Sequence, residues 1–138
     1  MRTAARAAPS DGFLTIQYLL AIGLTFVLLV QVTNLLVHAY GRGAVRAALD
    51  EGVRAGSVVD AAPAECAARA RAVLGDLLGG WMGDGVGAVT CSMDGDRVTA
   101  RVHATFPAWV PGVPPYSFTT TARMVREPDP GAAAESPG

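Results

Sequence analysis

The sequence predicts an α+β fold: a long N-terminal transmembrane helix continues into a small domain with a second helix and a three-stranded antiparallel sheet. Three observations support this prediction. Residues 13–40 contain no Asp, Glu, Lys or Arg. From there to about Val59, apolar residues recur at three- and four-residue spacing, which is typical of a helix with one buried face. From Val89 onwards, apolar and polar residues alternate, as in strands that are covered on one side.

The charge-free run at 13–40 is long enough to cross a bilayer. As a helix it spans about 40 Å, whereas the hydrocarbon core of a bilayer is about 30 Å thick. The apolar core of a secretory signal sequence has only about 7–15 residues, so cleavage after Ala39 is the least favoured interpretation. The run is therefore either a permanent membrane anchor or a helix that also packs against neighbouring subunits.

Around this run the chain divides into four parts. Residues 1–12 form a short basic leader, and residues 13–40 form the transmembrane helix. Residues 41–126 form the α+β domain, which has enough length for one small core. Residues 127–138 have no apolar pattern, and we expect this tail to be disordered.

The orientation of the protein in the membrane is predicted from its cysteines, since its charges give no direction. Arginines flank the run on both sides, so the positive-inside rule gives no direction. Both cysteines of the chain, Cys66 and Cys91, follow the run, and disulfides persist in oxidising compartments. We therefore expect a single-pass protein of the cytoplasmic membrane, with an extracytoplasmic C-terminal domain.

Three polar residues late in the run form a stripe. Gln31, Asn34 and His38 are spaced i, i+3 and i+7, so they share one face of the predicted helix. In lipid such a stripe packs against another helix more often than it faces acyl chains. We expect it to contact a neighbouring subunit; the alternative is that it lies near the far interface and meets water. No other metal-ligand residue lies near His38 in sequence, so no metal site is expected there.

The second helix is predicted to begin at Pro63, which suits a first helical turn, and to end at Gly79 and Gly80. Residues 81–87 are predicted to form a Gly-rich loop. One face of the helix carries the apolar residues Cys66, Ala70, Val73 and Leu77.

The strands follow a hairpin signal, Asp94-Gly95. The register predicted from this turn pairs Met93 with Asp96, Cys91 with Val98, and Val89 with Ala100. It turns Val98, Ala100, Val102, Ala104 and Phe106 inward. A third strand is predicted over residues 116–126, after a Pro-rich crossing at 107–115. The outer face, with Arg97, Arg101, His103 and Arg123, is expected to be solvated; contact with an acidic partner is the alternative.

Cys66 and Cys91 are predicted to form a structural disulfide. Cys66 lies on the apolar face of the second helix and Cys91 on the inward face of the first strand, so both side chains point into the same interior. Closing a loop of about 25 residues stabilises a domain by about 3–4 kcal/mol in the chain-entropy model. Two free thiols are the alternative, and the CxxC spacing of a redox-active pair is absent from the sequence.

The sequence contains no motif that indicates catalysis. It has no phosphate-binding glycine loop, no HExxH and no nucleophile elbow. Its formal net charge is −1 and it has no basic cluster, which argues against a nucleic-acid partner. We therefore expect a protein without enzymatic activity, cofactor or metal.

A short motif opens the apolar helix. Gly12 directly precedes the run, and Gln17 places an amide at the fifth position after that glycine. Together with RAALDEGVRAG at residues 46–56, this stretch resembles the TadE family of tight-adherence (Flp-type) pilus proteins. That family typically shows a junction glycine, an apolar helix and an Ala-rich stretch that ends in Glu-Gly-Ala-Arg-Ala. The resemblance covers about residues 10–127, including the segment PAWVPG in the Pro-rich crossing.

The resemblance implies a specific processing event and specific partners. A prepilin peptidase would cut between Gly12 and Phe13 on the cytoplasmic side. The mature subunit would sit in membrane lipid and join other pilin-like subunits through its N-terminal helix, as a structural minor pilin or pseudopilin.

Gln17 departs from the family pattern, which usually has Glu at this position. That carboxylate is thought to pair with the N-terminal amine of a neighbouring subunit. Gln keeps a hydrogen bond but loses the charge, and a charge-assisted bond is about twice as strong as a neutral one. A second hypothesis therefore stays open: a single-pass, membrane-anchored binding module that does not polymerise.

Overall fold

The computed structural model of the protein describes residues 11–108 and 113–127. The expected leader up to residue 10, part of the Pro-rich crossing, and the tail from residue 128 lie outside the described residues. The described part has the predicted α+β layout. Its elements are α1 (Asp11–Gly56), α2 (Pro63–Leu77), α3 (Trp81–Asp84), β1 (Thr90–Asp94), β2 (Arg97–Phe106) and β3 (Tyr116–Val125).

The chain forms two compact units, of which the first ends at Leu36 and the second begins at Val37. α1 belongs to both, and it runs without interruption through Gly41 and Gly43. In the first unit none of residues 15–36 is buried. Within the described part of the chain, this helix is long and apolar enough to cross a membrane.

In the second unit α1 packs against α2 at two glycines. Gly52 and Gly56 are both buried, and they continue a row of small residues that begins with the buried Ala44 and Ala48. A Cβ atom at Gly52 would lie 2.8 Å from Cβ of Ala70, and one at Gly56 would lie 2.9 Å from Cβ of Cys66. Real Cβ atoms do not approach so closely, so α2 can lie this near to α1 only because both positions are glycine.

The core of the second unit lies between α1, α2 and the inner face of the sheet. α1 contributes Val45, Leu49 and Val53, which are at most 1% exposed. The inner face of β2 is buried as predicted, with Val98, Ala100, Val102, Ala104 and Phe106.

The apolar face predicted for α2 was wrong at its C-terminal end. Leu77 is 38% exposed, whereas Leu74 and Leu78 are buried. α2 packs along the i, i+4 row that Cys66 and Ala70 begin. Leu74 continues that row, and the chain then turns Leu78 inward as the helix ends.

The sheet has the strand order β1-β2-β3 with antiparallel pairs. The predicted register of the first hairpin was wrong by two residues, because Cys91 pairs with Ala100 rather than Val98. The turn residues are Gly95 and Asp96, and Gly95 has φ +58°. In the observed turn, glycine occupies the first central position and alone has positive φ, as in a type II′ turn. The predicted turn, with Asp94 and Gly95 as central residues of type I′, would require positive φ at both.

Residues 81–87 were predicted as a loop, but they contain a short helix and a strand pairing that the sequence did not predict. α3 occupies Trp81–Asp84, and Val86 then forms an isolated antiparallel bridge with Ala104. Gly87 donates a backbone hydrogen bond to His103 O at 2.8 Å. The segment after α3 therefore extends the pairing along β2.

We predict that Gly52→Ala lowers the free energy of unfolding by about 1–3 kcal/mol, because the added methyl overlaps Ala70 and the carbonyl of Cys66. Gly43→Ala is the matched control, since its Cβ meets nothing within 4 Å. It should raise stability by up to about 1 kcal/mol through helix propensity. Thermal unfolding of the full chain in detergent, followed by near-UV circular dichroism, measures both. Equal stability of the two variants would contradict close packing of α1 on α2.

Candidate assembly helix and its disulfide-linked domain

The first unit exposes apolar side chains on every side of α1. Its large apolar residues from Ile16 to Leu36 are 45–70% exposed. Leaving a side chain of this size in water forgoes about 1.5–3 kcal/mol relative to burying it. A run of such residues is therefore stable only in lipid or against other apolar helices.

Two hydroxyl groups in the first unit are satisfied by the helix itself. Thr25 Oγ1 donates to Ala21 O at 2.8 Å, and Thr33 Oγ1 donates to Leu29 O at 2.9 Å. A hydroxyl that bonds to the carbonyl four residues earlier carries little desolvation cost in an apolar environment. These threonines are thus compatible with lipid on all sides.

The two glutamines of the first unit differ from the threonines. Gln17 and Gln31 are both exposed, and neither amide forms a hydrogen bond within the described part of the chain. Transfer of an unpaired amide into an apolar environment costs about 2–7 kcal/mol. Each side chain therefore needs water at the edge of a bilayer, or a partner group on another helix.

The expected processing junction lies at the beginning of α1. Gly12 and Phe13 are the second and third residues of α1 as the structure describes it, Asp11–Gly56. Cleavage between them stays a prediction.

Asn34 and His38 each hold a buried polar atom. Both residues are half-buried, and Asn34 Oδ1 and His38 Nδ1 have no hydrogen-bond partner among the described residues. Asn34 belongs to the first unit and His38 to the second. In the second unit the ring of His38 lies 5.1 Å from the ring of Tyr116, at an interplanar angle of 53°.

Contacts near the end of the charge-free run tie α1 to the rest of the second unit. Tyr40 donates its hydroxyl hydrogen to Leu77 O at 3.0 Å. Arg42 donates to the hydroxyl of Tyr116 at 3.1 Å, and its guanidinium lies 5.5 Å from the ring centroid of Phe118. No motif or periodicity in the sequence predicted a role for these residues. The available signal was their position, since Tyr and Arg are enriched where a membrane helix meets water.

The predicted disulfide is present. Cys66 and Cys91 are joined, with Cα atoms 6.2 Å apart. The bond connects α2 to β1 across the core, beside the contact between Gly56 and Cys66. Cys66 is fully buried and Cys91 half-buried, so the pair has the placement of a structural bridge.

The outer face of the sheet is polar and mostly basic. His103 Nδ1 lies 3.1 Å from Thr119 Oγ1, and Thr105 Oγ1 lies 3.0 Å from Ser117 Oγ. The exposed ionisable residues predicted for this face are all on it: Arg97, Arg101, His103 and Arg123. Whether the face contacts an acidic partner or only solvent stays a prediction.

Two shallow clefts in the second unit lack the residues of a catalytic site. One of about 360 Å³ is lined by Arg71 together with small and apolar residues of α2 and of segment 83–88. Another of about 340 Å³ is lined by Thr90, Cys91, Ser92, Thr99 and Arg101. Neither lining contains a His, Asp or Glu that would serve as a general base. In residues 11–108 and 113–127, no three His, Cys, Asp or Glu side chains are grouped as metal ligands.

Comparisons of the chain with models of known protein families, with curated proteins and with solved structures gave no match. Its function is therefore inferred from its own features: the exposed helix, the disulfide-linked second unit and the polar sheet face.

We predict that removing the disulfide with Cys66→Ala and Cys91→Ala together lowers the free energy of unfolding by about 3–4 kcal/mol, because the unfolded chain gains conformational freedom. Chemical denaturation of the full chain in detergent measures the change. The reduced wild-type protein is the control and should match the double variant. An unchanged denaturation midpoint, or thiol labelling of the unfolded and unreduced wild type, would refute the structural role.

Proposed function

We propose that the protein is a TadE-like minor pilin or pseudopilin of a tight-adherence type pilus or secretion system. It is a structural subunit, inserted in the cytoplasmic membrane with its C-terminal domain outside, and processed by a prepilin peptidase after Gly12. One observation carries the proposal. α1 runs without a break from Asp11 to Gly56, is exposed and apolar all round in its first unit, and packs into a disulfide-linked α+β domain in its second.

This division of α1 suits a subunit that is surrounded first by lipid and later by other subunits. While the subunit waits in the membrane, lipid covers the exposed apolar side chains. During assembly, the same side chains are transferred to the helices of neighbouring subunits. Because lipid tails and apolar side chains are alike as solvents, this transfer has no large hydrophobic driving force. Polar contacts and close packing between helices must then decide whether a subunit enters the fibre.

Gln17 is the residue on which such a polar contact depends. After cleavage at Gly12, the amine of Phe13 becomes the new N-terminus, a few residues before Gln17. A neutral amide that accepts a hydrogen bond from this amine binds it more weakly than the carboxylate found in most family members. A subunit with Gln is therefore suited to a minor place in the fibre or to its base.

An anchored binding module that does not polymerise is the second candidate. Its support is the outer sheet face, where three arginines and a histidine are exposed among hydroxyl side chains. Such a face offers charge complementarity to an acidic partner. Cell fractionation separates the two candidates, because a module that only anchors stays with membranes and is absent from sheared surface fibres.

We predict that Gly12→Leu blocks removal of the leader, because a bulky side chain at the junction prevents the peptidase from binding the chain. Mass spectrometry and N-terminal sequencing of the protein from cells with an active prepilin peptidase test this. The wild type should begin at Phe13 and the variant at Met1. Gly23→Ala is the control, since its Cβ meets nothing within 4 Å, and it should be processed normally. A wild-type protein that keeps its leader in these cells would overturn the processing step.

We predict that Gln17→Glu raises the share of subunits in sheared fibres about fivefold, if the added charge strengthens the contact with the N-terminal amine by about 1 kcal/mol. Gln31→Glu adds the same charge far from the N-terminus and should not raise it. Immunoblots of sheared and membrane fractions measure the ratio. Membrane-bound material alone, for the wild type and both variants, would favour the anchored binding module.

A further inference from the structure

The exposed aromatic side chains of the second unit are gathered at one end. Among its described residues they are Tyr40, Trp81 and Tyr116, which are 56%, 44% and 37% exposed, and Leu77 beside them is 38% exposed. These four residues form a surface that we call the collar. The exposed valines Val58 and Val125 lie at the other end, where Glu127 donates a backbone hydrogen bond to Ser57 O.

Contacts within the second unit hold the collar around residues 38–42 of α1. Tyr40 bonds to the carbonyl of Leu77, and Tyr116 lies against His38 and accepts a hydrogen bond from Arg42. Trp81 opens α3 shortly after Leu77. The chain after α3 returns to this end of the sheet, where Thr105 donates a backbone hydrogen bond to Gly85 O. Tyr40, Leu77 and Tyr116 therefore lie together at residues 38–42 of α1. Trp81 follows Leu77 by four residues and lies at the same end of the domain.

Arg42 places a positive charge beside Tyr116 of the collar, whereas the exposed carboxylates Asp76 and Asp84 lie beside Leu77 and Trp81. Arg42 is exposed, and it has no carboxylate partner among the described residues. Its guanidinium contacts Tyr116 and Phe118, which fixes its direction and leaves donor groups unused. A guanidinium with unused donors is suited to bind a phosphate group in two-pronged geometry.

The position of Tyr40 in the sequence sets the depth of the collar. Tyr40 ends the charge-free run, and Arg42 is the first charged residue after it. A helix that fills the hydrocarbon with its charge-free run brings its first arginine to the headgroups. Trp and Tyr are enriched at that depth, because their rings are apolar and their polar atoms meet water.

We propose that the collar is a lipid-contact surface that rests in the headgroup region of the bilayer, with Arg42 bound to a phospholipid phosphate. The inference rests on the proposed function only for the insertion of α1 in a membrane, and it does not require polymerisation. It places Gln31 within the hydrocarbon, about 14 Å before Tyr40 along α1, where its amide needs a partner on another helix. A second copy of the chain is a poorer occupant. Four partly exposed side chains offer about 400 Å² at most, whereas a stable protein interface uses about 800 Å² per partner.

Fluorescence quenching by lipid tests the proposal on the full chain. Trp109→Phe leaves Trp81 as the sole tryptophan, since the chain has two. The variant is reconstituted in vesicles of phosphatidylcholine and phosphatidylglycerol, with some lipids brominated close to the glycerol. The matched control combines Trp81→Phe, Trp109→Phe and Val125→Trp. It moves the probe to the other end of the domain, which is about 24 Å farther along α1.

Lipid contact should make quenching of Trp81 at least about threefold stronger than quenching of the probe at position 125. Arg42→Gln should weaken Trp81 quenching in both vesicle compositions, since every phospholipid offers a phosphate to the guanidinium, and the loss should be larger in the anionic vesicles. Unchanged quenching in both compositions would overturn the bond between Arg42 and a phosphate. Equal quenching at the two positions, in protein that sediments with the vesicles, would overturn the collar and leave the proposed function standing. Protein that fails to sediment with vesicles would overturn both.

A second copy at the collar would give a different result. Trp81 would then be shielded from brominated lipid, and the shielding would grow with the ratio of protein to lipid. That outcome would replace the lipid contact by a contact between subunits, and it would also overturn the proposal.

Discussion

One uninterrupted helix has to cover its apolar side chains in two different ways, and the rest of the structure depends on this constraint. In the second unit α1 supplies Val45, Leu49 and Val53 to a core that the same chain completes. In the first unit none of residues 15–36 is buried by the described part of the chain. Lipid or other apolar helices can supply the missing cover, and the helix is long and apolar enough to cross a membrane.

The second unit in turn depends on the close approach of α1 and α2. Gly52 and Gly56 allow this approach, and it places Cys66 where the disulfide reaches β1. The ion pairs of Glu51 contribute less. Glu51 lies 3.7 Å from Arg69 of α2 and 3.5 Å from Arg54 of its own helix, but all three side chains are at least 40% exposed. Such pairs are worth about 0–1 kcal/mol. The disulfide alone contributes about 3–4 kcal/mol to the stability of the second unit. Packing and the disulfide therefore stabilise this unit more than the ion pairs do.

The sequence predicted patterns with a fixed period better than it predicted local geometry. The inner and outer faces of β2 were right although the hairpin register was wrong, because a shift of two residues leaves the faces unchanged. The choice between Asp94-Gly95 and Gly95-Asp96 as the turn depends on backbone angles that the residue types alone do not fix. For α2, Cys66 and Ala70 were placed correctly. Leu77 was not, because the packed row of a helix depends on where its neighbour lies.

The site residues show the same limit. Cys66 and Cys91 were paired from their predicted faces, and that pairing is confirmed. Tyr40 and Tyr116 are far apart in sequence and follow no common periodicity. No sequence pattern therefore predicted that both would lie at residues 38–42 of α1. Roles for Gln17 and Gln31 rest on the resemblance and on the needs of an amide in lipid, and they stay predictions.

The proposed position of the collar also sets the depth of Gln17 in a membrane. If Tyr40 lies in one headgroup region, the hydrocarbon holds about the 20 residues before it. Gln17 comes about 23 residues before Tyr40, or about 35 Å along a helix, which is beyond the hydrocarbon and among the opposite headgroups. There its amide meets water and needs no partner, and the proposed cleavage site before Phe13 remains within reach of a peptidase at the membrane surface. A carboxylate at this depth would be solvated equally well, so the membrane itself exerts no strong preference for Gln over Glu. In the proposed pilin function, the loss of charge at Gln17 would then act only on the step in which the subunit leaves lipid for the fibre.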